Sequence, residues 1–241
     1  MPEAMLALSG VNTHIAQYHI LQGVDFEVPR GGLTMLLGRN GAGKTTCLRT
    51  IMGLWRASAG RVMYEKAEIQ GLRTPDIARL GVAYVPENMG IFGGLTVREN
   101  LLLAARAGPP EAKRLDWIFG LFPALKKFWD GFAGNLSGGQ KQMLAVARAI
   151  VEPRKLLLVD EPTKGLAPAI VGSMIEAFRE LKRTDTTILV VEQNFHFARS
   201  LGDTVAVMDS GRIVHAGTMA ALAADGALQQ RLLGLSLDAH Q

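Results

Sequence analysis

The stretch GRNGAGKTT, from Gly38 to Thr46, constrains this chain more than any other feature of its sequence. Its first eight residues match G-x-x-x-x-G-K-[ST], a glycine-rich turn whose backbone N–H groups surround phosphate oxygens. The apolar run Leu33–Leu37 leads into it, and a helical pattern begins near Lys44. A strand, a loop and a helix in this order predict a nucleoside-triphosphate site in an α/β fold.

Two residues of this loop have distinct predicted roles. Lys44 is expected to reach the β- and γ-phosphates, and the hydroxyl of Thr45 to hold Mg²⁺. By itself the loop does not distinguish a kinase, a GTPase or a transporter ATPase. The residues predicted to bind the nucleotide are Gly38, Arg39, Asn40, Gly41, Ala42, Gly43, Lys44, Thr45 and Thr46.

A second apolar run, Leu156–Val159, ends in the acids Asp160 and Glu161. In parallel α/β sheets, ligands lie beyond the carboxyl ends of the strands. Asp160 is therefore predicted to bind Mg²⁺, and Glu161 to accept a proton from the attacking water. The alternative is that the two acids form a helix N-cap or a turn before Pro162. The upstream phosphate loop makes this alternative the less favoured interpretation.

Several short apolar runs predict the fold class. Continuous apolarity, rather than alternation, favours parallel strands buried on both faces, with helical crossovers between them. Three N-terminal runs lack intervening helices and predict an antiparallel sheet; they are Met5–Ser9, Ile20–Val28 and Gly60–Glu65. The predicted parallel strands are Leu33–Leu37, Val82–Val85, Leu156–Val159, Thr187–Val191 and Val205–Met208.

The remaining segments predict the domain organisation. Residues 208–213 indicate a hairpin with a glycine at its turn. A helix-rich middle segment, about residues 88–135, interrupts the alternation of strands and helices. We therefore predict one domain over residues 1–241. Its core spans about 1–87 and 136–217, its inserted helical lobe about 88–135, and its short helical tail 218–241.

Composition limits the setting in which this protein works. The single cysteine, Cys47, excludes an intrachain disulfide and suits a reducing compartment. The apolar runs are far shorter than the roughly 20 residues that cross a bilayer. The net charge of +4 is compatible with an anionic partner, but an ordinary, slightly basic globular domain is the favoured interpretation. A cytoplasmic protein is expected.

The motif LSGGQ, at residues 136–140, narrows the classes of triphosphate-binding protein that the sequence could belong to. Ser137 is predicted to cap the following helix, and its two glycines allow phosphate oxygens to approach the backbone. An ordinary serine-capped helix is the alternative for such a motif taken alone. The apolar face of this predicted helix consists of Met143, Leu144, Val146, Ala147 and Ile150.

With LSGGQ between a phosphate loop and a strand ending in Asp-Glu, the chain resembles the ATP-binding-cassette (ABC) family from about residue 6 to 217. The resemblance implies ATP and Mg²⁺ as ligands and a head-to-tail pair of cassettes. It further implies that one chain binds the nucleotide held by its partner through Ser137, Gly138, Gly139 and Gln140. Residues 165–168, GLAP, match the loop that couples the two sites in this family.

Finer features resemble the ATPases of importers for branched-chain amino acids and related small polar solutes. These features are VPE at 85–87, LTV at 95–97, ENL at 99–101 and VEQN at 191–194. The resemblance implies a second cassette, two membrane-spanning permease subunits and, indirectly, a solute-binding protein as partners, with no nucleic acid. It places the protein peripherally on the inner face of the cell membrane.

Three positions depart from the general family pattern. Glu87 stands where most cassettes have a glutamine that binds Mg²⁺ or water, and a carboxylate can still do so. Gln193 replaces a histidine, and its neutral amide donates a hydrogen bond but carries no proton charge. For the adenine contact, the expected position holds Ile15, with Tyr18 as second choice. A half-exposed strand tyrosine is an equally good interpretation of Tyr18.

Two other functions remain as alternatives. A non-transport cassette acting on nucleic acid or ribosomes usually carries two cassettes or long coiled coils, whereas this chain has one cassette and no sustained heptads. An inactive interaction subunit is disfavoured because Lys44 and Glu161 are both present. The predicted catalytic residues are accordingly Glu161, Gln193 and Lys44, and the predicted metal-binding residues are Thr45, Glu87 and Asp160.

Overall fold

The structure is a computed structural model that describes residues 3–234. Its strands are β1 (Ala4–Ile15), β2 (Tyr18–Pro29), β3 (Leu33–Leu37), β4 (Ala57–Tyr64), β5 (Ala67–Glu68), β6 (Val82–Val85), β7 (Leu156–Asp160), β8 (Thr187–Glu192), β9 (Thr204–Asp209) and β10 (Arg212–Thr218). Its α-helices are α1 (Lys44–Ile51), α2 (Thr74–Arg79), α3 (Val97–Ala104), α4 (Ala112–Leu121), α5 (Pro123–Lys127), α6 (Gly138–Ala149), α7 (Pro168–Lys182), α8 (Phe195–Leu201), α9 (Met219–Ala224) and α10 (Gly226–Leu233).

The described part of the chain contains two β-sheets. The first is antiparallel, in the order β2-β1-β4-β5. The second has the order β10-β9-β3-β8-β7-β6, and all its neighbours are parallel except β9 and β10. The five apolar runs predicted to be parallel strands all lie in this second sheet. The predicted fold class, with its antiparallel N-terminal sheet and mixed core, is confirmed.

The central strands are continuously apolar because each of their faces is covered. Along β7, Leu157 and Val159 belong to one buried cluster with apolar residues of α6 and α7. Leu156 and Leu158 belong to a second cluster, with residues of α1 and the antiparallel sheet. Every residue of β3, β7 and β8 is therefore buried. The carboxyl ends of these parallel strands lie at one edge of the sheet, where β7 ends in Asp160 and β8 in Glu192.

Helices α3, α4 and α5 lie within the predicted lobe, about residues 88–135. Several aromatic residues of this segment pack inwards: Phe122 is fully buried, and the rings of Phe119 and Trp129 meet edge to face at 5.2 Å. Asn100 is also buried and donates hydrogen bonds to the carbonyl oxygens of Phe92 and Thr96, which holds the loop before α3. Residues of this segment share a buried cluster with β7, so its separation as a lobe stays a prediction.

The predicted hairpin forms between β9 and β10, with Ser210 and Gly211 at its turn. Helices α9 and α10 follow, and the remainder of the predicted tail lies outside the described residues. Within residues 3–234, no helix has the length and apolarity needed to cross a membrane.

Candidate functional site

The phosphate loop joins the buried strand β3 to α1, as predicted. Gly38 has a φ of +153°, and a Cβ atom there would lie 2.2 Å from the carbonyl oxygen of Met208, so only glycine fits. The N–H of Gly211, in the β9–β10 turn, donates to the carbonyl oxygen of Ala42 at 2.9 Å. The hairpin therefore supports the loop from behind.

Lys44 lies inside this loop and is only 4% exposed. Its Nζ atom donates to the carbonyl oxygens of Gly38 at 2.9 Å and Arg39 at 3.1 Å. Burial lowers the pKa of Lys44, while the nearby carboxylates of Glu161 and Asp160 oppose that shift. The ammonium group is thus placed where phosphate charge is expected.

Asp160 ends β7 and is fully buried. Its Oδ1 accepts a hydrogen bond from the Thr45 hydroxyl at 3.0 Å, and its Oδ2 accepts one from the Tyr84 hydroxyl at 3.2 Å. Burial raises the pKa of Asp160, and these two hydrogen bonds oppose that shift. The sequence did not single out Tyr84, which reaches Asp160 because β6 pairs with β7.

The oxygen atoms around Thr45 and Asp160 suit Mg²⁺. This cation prefers oxygen ligands and is usually bound by one or two carboxylates together with the phosphates of a substrate. Within residues 3–234, no three His, Cys, Asp or Glu side chains are grouped so as to hold a metal ion by themselves. The residues present therefore fit a cation that is bound jointly with a nucleotide.

Glu161 follows Asp160 with a φ of +47°, which is uncommon for a residue with a side chain. Its N–H donates to the Val191 carbonyl oxygen at 2.9 Å, and its side chain is only 8% exposed. Backbone strain of this kind persists where surrounding contacts hold it, often at functional sites. The turn directs the carboxylate of Glu161 towards Lys44, whose Nζ atom lies 3.7 Å from Oε1.

Gln193 connects Glu161 to the phosphate loop. Its Nε2 atom donates to Glu161 Oε1 and to Asn40 Oδ1, both at 2.6 Å. The structure thus brings together three of the predicted residues from three separate strand ends. The neutral amide of Gln193 can hold the Glu161 carboxylate by a hydrogen bond. It does not take up the proton that Glu161 is predicted to accept from water.

Glu192 is a buried acid that the sequence motifs did not identify as a site residue. Its Oε1 accepts hydrogen bonds from the N–H and hydroxyl of Thr163, at 2.9 and 2.6 Å. Its Oε2 accepts from the N–H groups of Gln193 and Asn194, at 2.8 and 2.9 Å. The sequence signal that could have identified Glu192 is its position at the end of an apolar strand, next to the strand that ends in Asp160. Glu192 ties the loop after β7 to the loop after β8.

A cavity of about 320 Å³ opens at the phosphate loop. Glu87 lines it, and one of its carboxylate oxygens, Oε1, lies 2.5 Å from Nζ of Lys164. Ile20 also lines the cavity, whereas Ile15 does not. Tyr18 is 63% exposed, so the adenine contact predicted for Ile15 or Tyr18 stays a prediction.

The LSGGQ motif begins α6 with reciprocal capping. The Ser137 Oγ atom accepts from the N–H of Gln140 at 3.3 Å, and Gln140 Oε1 accepts from the N–H of Ser137 at 2.9 Å. Gly138 faces open space, whereas a Cβ at Gly139 would lie 2.7 Å from Cγ2 of Ile170. None of these four residues lines the phosphate-loop cavity, so their contact with a partner's nucleotide stays a prediction.

The fold and the arrangement of Lys44, Asp160 and Glu161 define a P-loop ATPase. Residues 21–164 match the ABC transporter family. The chain is 39% identical, over 95% of its length and 100% of the relative's, to the high-affinity branched-chain amino acid transport ATP-binding protein BraG of Pseudomonas aeruginosa. It is 37% identical, over 89% of its length and 92% of the relative's, to the probable branched-chain amino acid transport ATP-binding protein LivF of Archaeoglobus fulgidus.

Solved structures have the same fold. The cbiO1 protein of Clostridium perfringens, part of the ABC transporter complex cbiONQ, aligns with a TM-score of 0.80 and 28% identity, covering 98% of this chain and 96% of that one. An ABC transporter cassette in its ADP conformation aligns with a TM-score of 0.80 and 25% identity, covering 97% and 100%. The chain belongs to the ABC transporter family. The alternative of a nucleic-acid or ribosome ATPase is not favoured, since these relatives are transport subunits.

Proposed function

We propose that this protein hydrolyses ATP to drive an importer for branched-chain amino acids or related small polar solutes. The observation that carries the proposal is the 39% identity to the Pseudomonas aeruginosa subunit, which extends over the whole of that relative and 95% of this chain. A match of this extent leaves little of the chain for a different task.

In this proposal the loop from Gly38 to Thr46 surrounds the phosphates of ATP with backbone N–H groups, and Lys44 clamps the β- and γ-phosphates. Thr45, Asp160 and Glu87 hold Mg²⁺. Mg²⁺ held by these residues would neutralise phosphate charge that develops during the reaction. The adenine contact is proposed for Ile15, with Tyr18 as the second choice.

Glu161 is the proposed general base, which takes the proton of the attacking water. The 2.6 Å hydrogen bond from Gln193 and the 3.7 Å approach of Lys44 support this role, because both hold the carboxylate beside the phosphate loop. Gln193 orients the carboxylate or the water and carries no proton itself. General bases of this kind contribute about 10²- to 10⁴-fold to a rate.

The site is proposed to be completed by a second cassette. The exposed backbone at Gly138 supports this role, since a phosphate group can approach it without obstruction. In the head-to-tail pair, Ser137, Gly138, Gly139 and Gln140 of one chain contact the nucleotide of the other. The dipole at the N-terminus of α6 favours the negative charge of that nucleotide.

A groove of about 730 Å³ is the proposed docking site for a permease subunit. Leu54 and Trp55 line it from the core, Ala104 lines it from α3, and residues 88–90 extend along it. Leu54 is half exposed, which supports an apolar contact with a partner. Two permease subunits would hold a pair of cassettes on the inner face of the cell membrane, with a solute-binding protein acting indirectly and no nucleic acid bound.

Uptake of radiolabelled leucine by cells tests this function. Cells that carry the full chain with its permease subunits are expected to accumulate leucine, and cells with Lys44→Ala are not. Purification of the chain should recover the permease subunits. Recovery of ribosomes or nucleic acid instead, with leucine uptake unaffected by Lys44→Ala, would contradict the proposal.

A further inference from the structure

Lys164 lies between two acids of the site. Its Nζ atom is 2.5 Å from Oε1 of Glu87 and 3.4 Å from Oε2 of Glu161. Lys164 follows Glu161 in the same turn, where its N–H donates to the Glu161 carbonyl oxygen at 3.2 Å. The side chain therefore bridges the segment after β6 and the segment after β7. None of the roles proposed above accounts for this lysine.

Positive and negative side chains alternate across the site, from Lys44 through Glu161 and Lys164 to Glu87. One oxygen of the Glu161 carboxylate faces Lys44 and the other faces Lys164. Glu161 is 8% exposed, so water screens its charge poorly. Lys164 is 56% exposed and Glu87 is 38% exposed, and pairs this open to water add little to stability. The pairing is therefore explained better by the site than by the fold.

Glu87 is held where it meets Lys164. The Met89 N–H donates to the Pro86 carbonyl oxygen at 2.8 Å, which closes a tight turn around Glu87. An oxygen atom 2.5 Å from an ammonium group is engaged by that group and is not free for a metal ion. A cation that arrives with the nucleotide and binds Glu87 through Oε1 must therefore compete with Lys164 for that oxygen.

We propose that Lys164 is a positioning residue with two effects. It holds the Glu161 carboxylate through Oε2, opposite Lys44, and it sets the affinity for the Mg²⁺–nucleotide by competing for Glu87. The proposal rests on the proposed function, because it takes Glu87 as a metal-binding residue and Glu161 as the base.

Two measurements on the full chain test this proposal. The first is the free Mg²⁺ concentration that half-saturates binding of a non-hydrolysable ATP analogue. Lys164→Met frees Glu87 and should lower this concentration by about two- to five-fold, the range that partly exposed ion pairs produce. In a Glu87→Gln background the same substitution should have no effect on it.

The second measurement is ATP hydrolysis at saturating Mg²⁺. Lys164→Met should lower kcat by about two- to five-fold, because the base is misplaced. It should not raise KM for ATP, because the nucleotide contacts remain and Glu87 is freed for Mg²⁺. Lys164→Arg keeps the charge and should retain most of kcat. Lys66→Met is the matched control, since Lys66 is an exposed lysine that pairs with Glu3 at 2.8 Å outside the site.

Three results would overturn the proposal. If Lys164→Met and the control Lys66→Met give the same result in both measurements, Lys164 has no special role in the site. An equal Mg²⁺ shift in the Glu87→Gln background excludes competition for Glu87. A wild-type chain that neither binds the analogue nor hydrolyses ATP overturns the proposed function and this inference with it, whereas normal wild-type behaviour confines a failure to Lys164.

Discussion

Gly138 and Gly139 are adjacent in the sequence, yet their surroundings differ. Gly139 is buried against Ile170 of α7, so its missing side chain serves the packing of α6 on α7. Gly138 faces open space, so its missing side chain serves nothing within this chain. This contrast supports a role for Gly138 in contact with a second molecule.

The pair of glycines gives a matched prediction. Gly139→Ala should lower the free energy of unfolding by about 1–3 kcal/mol, the usual cost of overpacking. Gly138→Ala should leave stability unchanged or slightly raise it, since alanine favours helices, and should instead weaken ATP-dependent pairing of cassettes. Chemical unfolding and analytical ultracentrifugation measure the two effects. Equal destabilisation by both substitutions would contradict this distinction.

Cys47 gives a prediction of chemical reactivity. The thiol is fully buried on α1, and burial raises its pKa to about 12. Because the pKa is raised, the thiol stays protonated as pH rises until it approaches 12, and the reactive thiolate is absent at pH 8. A disulfide reagent at pH 8 should therefore modify the unfolded chain and leave the folded one unmodified. Rapid stoichiometric reaction of the folded protein would show that Cys47 is accessible.

At the scale of single residues, the sequence predicted those whose position follows from a local motif. Lys44, Asp160 and Glu161 are of this kind, because a phosphate loop or a strand end specifies their surroundings. Tyr84 and Lys164 were missed, since their contacts depend on strand order and on the path of a turn. Asp160 meets Tyr84 only because β6 and β7 are neighbours.

At the scale of elements, the buried strands were predictable and the exposed sheet was predictable only in part. Strands β3, β6, β7, β8 and β9 matched their apolar runs to within one residue at every end. Strand β1, however, continues to Ile15, beyond the predicted end at Ser9. Its register with β2 shifts after Leu8, and such irregularities break the alternation by which strands are detected.

The start of α3 provides a prediction at this scale. The Thr96 hydroxyl accepts from the Glu99 N–H at 3.1 Å, and Glu99 Oε2 accepts from the Thr96 N–H at 2.7 Å. Thr96→Ala should lower the free energy of unfolding by about 1 kcal/mol, because a helix N–H loses its partner. Thr96→Ser keeps the acceptor and should be close to wild type in the same denaturant titration. A loss shared by both variants would point to the methyl group instead of the cap.

At the scale of the whole molecule, the groove beside α3 is the docking surface that we propose for a permease subunit. Leu54→Glu places a charge in that groove and should abolish co-purification with the permease subunits. Nucleotide binding by the purified chain should be unaffected. Val214→Glu is the control, because Val214 is about as exposed but lies on β10 and does not line the groove. Equal loss of the permease with both variants would argue against this docking site.

The pairing of two cassettes cannot be derived from the packing of one chain. The sequence motifs predicted a triphosphate site, and the structure brings Lys44, Glu161 and Gln193 together within one chain. The LSGGQ motif lies outside the lining of that site, so its predicted contact with nucleotide requires a second cassette. Packing within a monomer cannot identify such a partner, because the partner's residues take no part in burying its core.

The central claim is that Glu161 activates water for ATP hydrolysis in a site assembled for transport. The direct test compares ATP hydrolysis and nucleotide binding by the wild-type chain and by Glu161→Gln, each assembled with the permease subunits. Glu161→Gln should bind ATP as tightly as wild type, while its turnover should fall by about 10²-fold or more. Turnover of Glu161→Gln at the wild-type rate would contradict this claim.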